Sequence, residues 1–124
     1  MSAFGLCVIF PEDMSRKERY IAFTDCLLRA SLVDSIPSIG DDEDNGYGDV
    51  DDFIANSLSN ETNTVGCIDV ECKIYIGILG IGTGPSVSIT QEMFDEYIAL
   101  SCLINKYGKG KGIKSQLGFH TFDL

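Results

Sequence analysis

Between Cys67 and Leu79 the chain alternates almost without interruption. Ile68, Val70, Cys72, Ile74, Ile76 and Ile78 take one parity, and Asp69, Glu71, Lys73, Tyr75 and Gly77 the other. Alternation of period two turns the first set toward a core and the second toward water or a partner. Fully extended, residues 67–79 would span roughly 43 Å at about 3.3 Å per residue. That is long for a small domain, so the pattern predicts a bulge, a bend near Gly77, or a strand shorter than the run.

Elsewhere the periods change. Ala3–Phe10 is apolar at nearly every position and stops at Pro11, as a strand covered on two sides would. From about Ser15 to Val33, Tyr20, Phe23, Leu27 and Ala30 make a helical stripe opposite a charged sector. Asp13 or Ser15 is placed to cap that helix, and Ile36-Pro37 to stop it. A short helix is predicted over about Val50–Leu58. A longer one is predicted over about Gln91–Tyr107, capped by Thr90 and closed by Gly108. The apolar face of the longer helix, Met93, Phe94, Tyr97, Ile98, Leu100, Ser101, Leu103 and Ile104, is broad. Such breadth implies burial on two sides or an exposed patch used in association. A last strand is predicted over roughly Gln116–Phe122.

These elements suit one globular domain, residues 1–124, with an acidic loop at 40–52. The expected class is α+β or mixed α/β, with a small sheet of three to five strands packed against two main helices.

Charge sharpens the picture. Nineteen acidic residues face nine basic ones, for a formal charge of −10. Asp41, Asp42, Glu43, Asp44, Asp49, Asp51 and Asp52 crowd into one segment. A phosphate backbone is an unfavourable partner for such a molecule, whereas a basic protein is attracted and steered. No long apolar segment suggests a membrane span, and the N-terminus lacks a basic leader. Five cysteines without paired CxxC units point to free thiols in a reducing, cytoplasmic setting.

Candidate chemistry is thin. Asp41, Glu43, Asn45, Gly46 and Asp52 occupy EF-hand-like spacings, but Glu43 is too long, Asp52 too short and no helix enters the loop. The glycines at 77–84 do not complete a dinucleotide fingerprint, and Gly108-Lys109-Gly110-Lys111-Gly112 is not a Walker loop. His120 is the single histidine, no serine or cysteine is marked as its nucleophile, and its alternation with Phe119 and Phe122 turns it away from both. No metal, cofactor or catalytic residue is therefore assigned.

The leading expectation is a small acidic inhibitor or immunity protein that neutralises a basic bacterial toxin, with a nuclease as the partner that best fits the charge. Its docking surface would combine Asp41, Asp42, Glu43, Asp44, Asp49, Asp51 and Asp52 with the outward row Asp69, Glu71 and Tyr75. The alternatives are an adaptor or self-associating structural protein and a small carboxylate-based enzyme. Apolar exposure on the long helix would favour the adaptor, and a pocket joining His120 to acids the enzyme.

Overall fold

In the computed structural model, residues 1–36, 47–61, 63–80 and 88–123 are described, with side chains except at 47–49. The first strand, β1 (Ser2–Ile9), is buried from Ala3 to Val8, as its unbroken apolar run requires. Helix α1 (Arg16–Arg29) starts at a capping box, in which Ser15 Oγ accepts from the Glu18 N–H and the Glu18 carboxylate accepts from the Ser15 N–H. It ends four residues before the expected Val33. Ser31 enters the left-handed region at φ 59°, and the Leu32 N–H donates to Leu27 O while the Ser31 N–H donates to Leu28 O. Helix α2 (Tyr47–Leu58) begins three residues before the expected Val50, so residues 47–52 are helical instead of loop.

The long alternating run is two strands, β2 (Gly66–Val70) and β3 (Lys73–Leu79), joined by the two-residue turn Glu71-Cys72. Glu71 takes the left-handed conformation, φ 57°, that this tight reversal needs. Val70 pairs with Lys73, and residues paired across strands share a face. Parity therefore inverts at the turn. Ile68 and Val70 lie on the face of Tyr75, and Cys67 and Asp69 on that of Ile74 and Ile76. A single strand with all the even residues inward is not what forms.

Helix α3 (Gln91–Gly108) is capped by Thr90, whose Oγ1 accepts from the Met93 N–H at 3.2 Å. It continues past the expected end into a 3-10 turn, Lys109–Lys111, and the chain reverses at left-handed Gly112, φ 73°. Strand β4 (Lys114–Thr121) completes an antiparallel sheet in the order β2-β3-β1-β4. Among the described residues the architecture is α+β, with four strands and three helices. The sequence order β1-α1-β2-β3-α3-β4, with α2 inserted, is that of two interleaved βαβ units.

All three helices cover one face. Phe4, Leu6 and Val8 of β1 and Ile74 and Ile76 of β3 pack there with Tyr20, Phe23 and Leu27 of α1, Val50 and Ile54 of α2, and Tyr97, Leu100 and Ile104 of α3. The other face has a smaller core of Ala3, Cys7, Tyr75 and Phe122. The register aligns Gly66, Gly77, Gly5 and Gly118 in one row across all four strands. At its centre the backbones of β1 and β3 are closely apposed. A Cβ on Gly5 would stand 2.2 Å from Ile76 O, and one on Gly77 2.1 Å from Phe4 O.

Candidate functional site

The acidic residues singled out by the sequence do not assemble as one open surface. Asp69 faces the helices, and its side chain is only 6% exposed. There its Oδ2 meets Arg16 Nε and Arg19 Nη2, each at 3.2 Å. Arg16 and Arg19 lie one turn apart on α1, a spacing that directs both guanidinium groups to one carboxylate. Asp51, from α2, accepts a 2.5 Å hydrogen bond from the Tyr20 hydroxyl and a 3.7 Å contact from Cys67 Sγ. Burial, followed by the charge of Asp69, raises the Asp51 carboxyl above its ordinary value. Burial likewise pushes the Tyr20 hydroxyl and the Cys67 thiol upward, so both are held protonated as donors to Asp51. This corner of α1, α2 and β2 is a network of internal ion pairs and hydrogen bonds.

The remaining acidic candidates divide. Tyr75 is buried on the opposite sheet face, its ring stacked on Phe122 with centroids 4.1 Å apart. Glu71 is exposed in the hairpin turn, and Asp52 is exposed on α2. The outward row Asp69, Glu71 and Tyr75 is thus replaced by one residue on each sheet face and one at the turn between them. Asp49 belongs to α2, but its side chain lies outside the described residues, as do Asp41, Asp42, Glu43 and Asp44. So does most of the segment with EF-hand-like spacing. Among the described residues no three of His, Cys, Asp and Glu are grouped to hold a metal ion.

His120 lies on the sheet face away from the helices. Its Nε2 is 3.2 Å from Gln116 O, and its ring is 5.8 Å from Tyr75. The expectation that it turns away from both phenylalanines is half corrected. Phe119 is on the other face, but Phe122 shares the Tyr75 ring with it. The sheet separates His120 from the Asp51–Asp69 corner. Of the five cysteines, Cys7 and Cys26 are buried, Cys67 and Cys72 half-buried, and Cys102 is exposed; all five are free thiols. Lys111 is held by an ion pair to Asp25, and this hydrogen bond keeps the Asp25 carboxyl below its ordinary value.

A different surface emerges where α3 lies beside β4. The broad face of α3 buries Met93, Tyr97, Leu100 and Ile104 but leaves Phe94 37% and Ile98 42% exposed. Phe119, on β4, is 68% exposed. Phe4 connects them underneath, its ring 6.5 Å from Phe94 and 4.9 Å from Phe119. Phe94 and Phe119 therefore belong to one apolar patch, with Ile98 one helical turn from Phe94, the kind of exposed cluster that marks contact surfaces in soluble proteins.

This patch lies at an edge of the sheet, on β4. In antiparallel pairing, residues that exchange hydrogen bonds with the neighbour alternate with residues whose N–H and C=O turn away. Met1 and Phe122 exchange both bonds at 3.0 Å. Counting by twos along the register makes 120, 118, 116 and 114 the residues bonded to β1, and 115, 117, 119 and 121 those facing outward. Asn105 Oδ1 accepts the outward Ser115 N–H at 2.7 Å. Among the described residues, nothing pairs with the outward groups of Leu117, Phe119 and Thr121, which carry the open part of the edge. By the same alternation β2, at the other edge, turns only Cys67 and Asp69 outward. Phe94 and Ile98 could be suspected from the width of their helix face, but Phe119 and Asn105 acquire meaning only once β4 is known to be an edge.

No helix among the described residues is long and apolar enough to cross a membrane. Comparison of the chain with protein-family models, with curated proteins and with solved structures returned no match.

Proposed function

We propose that this chain is a non-catalytic protein-binding module that docks through the apolar patch formed by α3 and β4. One observation carries the reading: Phe94, Ile98 and Phe119 stand exposed along a sheet edge whose outward backbone groups meet no partner among the described residues. Apolar side chains supply the anchoring area, and the strand edge supplies hydrogen bonds and direction. Five free thiols suit a cytoplasmic setting. The test is capture from the native cell with the wild-type chain and with a Phe94→Ser/Ile98→Ser/Phe119→Ser variant. A partner retained by the first and lost by the second is expected; identical retention by both overturns the reading.

A narrower second reading, an acidic inhibitor of a basic protein such as a nuclease toxin, draws on the formal charge of −10 and the exposed Asp52. There the segment 41–44 would accelerate encounter while the apolar patch anchors the complex. Neutralising Asp41, Asp42, Glu43 and Asp44 together is expected to slow association and flatten its dependence on salt. A rate indifferent to both changes removes the steering role.

A further inference from the structure

We propose that the β4 edge and its apolar patch take a second copy of this chain, with the two β4 strands pairing antiparallel about a two-fold axis at Phe119. The inference rests on the docking surface proposed above and adds the identity of its occupant.

The register of the edge supports a self-match. Leu117, Phe119 and Thr121 are the outward-facing residues whose sequence numbers are all odd. A two-fold axis at Phe119 pairs Phe119 with its own copy and Leu117 with Thr121 of the other chain. Every open N–H and C=O then meets an open partner, as an antiparallel ladder requires. An axis between two residues would instead set outward groups against groups already bonded to β1. Ser115 falls just outside the paired stretch, and its N–H is satisfied within its own chain by Asn105. The result is one sheet of eight strands with both α3 helices on the same face. Isologous contact of this kind closes on itself and leaves no new edge at the join.

The side chains agree with the backbone. Phe119 projects to the helix side, beside Phe94 and Ile98, so the two-fold axis brings six large apolar groups together across the join. Charge supports the same antiparallel sense. Helix α3 is acidic at its start, with Glu92, Asp95 and Glu96, and basic at its end, with Lys106 followed by Lys109. Because α3 runs antiparallel to its own β4, the axis lays the acidic end of one α3 beside the basic end of the other. Two molecules of formal charge −10 repel overall, so they associate only where the local charges alternate in this way.

The experiment is sedimentation of the full chain across a concentration series, together with hydrogen exchange. The expected result is a reversible dimer whose formation slows exchange at the Leu117, Phe119 and Thr121 amides and leaves Ser115 unchanged. Phe119→Lys, at a site exposed in the single chain, is expected to weaken dimerisation by about 100-fold with the unfolding midpoint of the monomer retained. Glu92→Lys/Asp95→Lys is expected to weaken it, and adding Lys106→Glu/Lys109→Glu in the same chain to restore it. A wild-type chain that stays monomeric, or a dimer indifferent to Phe119→Lys, overturns the self-pairing. If a monomeric wild type still retains a partner that the triple-serine variant loses, the self-pairing fails and the docking surface stands. If it retains none, both fail.

Discussion

Asp51 and Asp69 show how a carboxylate that looks like surface decoration becomes internal wiring. Asp69 sits mid-strand between apolar residues, a position read as outward until Arg16 and Arg19 are seen to converge on it. Breaking such a partly buried pair from one side would strand a charge, which costs more than the pair contributes. Asp51 is the less comfortable of the two. Burial and the nearby Asp69 charge raise its carboxyl above the ordinary 3.8, against the pull of the Tyr20 hydrogen bond. For an acid whose folded value lies above its unfolded one, ionisation favours unfolding. Stability therefore declines as pH rises from 3.8 through the raised folded value and is level beyond it. Asp51→Asn keeps an oxygen to accept from Tyr20 and removes the charge. Urea unfolding at a series of pH values should show the variant gaining on the wild type through that window and holding the gain at neutral pH. The sequence displayed these acids but not their partners, because pairing between α1, α2 and β2 depends on the fold.

At the scale of elements, the helices were the most legible. Ser15 with Glu18, and Thr90 ahead of Gln91, are start signals written in adjacent residues, and both caps form. The hairpin was hidden, because Glu71-Cys72 contains neither glycine nor asparagine and so leaves the alternation intact to the eye. The one available clue was length, since a strand of residues 67–79 was too long for the domain. The glycine row was equally obscure, for it exists only in the register. Its centre makes a sharp prediction. Gly77→Ala puts a methyl group against Phe4 O in a backbone at φ 154°, so the strands must separate or the chain must twist. Chemical denaturation should show a loss of about 3 kcal/mol or more, the size expected for strained backbone combined with a core clash. Gly110→Ala, where a Cβ meets nothing within 4 Å, serves as the tolerant comparison.

For the whole molecule, the order of stability follows the sheet. Strand β1 is flanked by β3 and β4 and covered on both faces, and β3 has neighbours on both sides. Amides in the ladder between them should exchange only through global unfolding, while those of α2 exchange through smaller openings. Hydrogen exchange resolved by residue tests this directly; α2 amides as slow as those of Leu6 or Ile76 would refute it. The α+β class was legible because strand-like and helix-like periods alternate along the chain. Which strands form the edges was not, since neighbours in space are set by the crossing of two βαβ units. Without the strand order, the acidic residues stand out in the sequence as a contact surface and Phe119 does not.

The inversion of parity at Glu71-Cys72 bears on how this chain can change length. The faces of β2 are fixed by its pairing with β3, so a residue added in the bend lengthens the loop while Val70 still meets Lys73. A residue added or removed within β2 would instead exchange its two faces. The carboxylate of residue 69 would leave its arginines, and the side chains of 68 and 70 would turn into the space it vacated. Length variants should accordingly be accepted in the bend and rejected inside the strand.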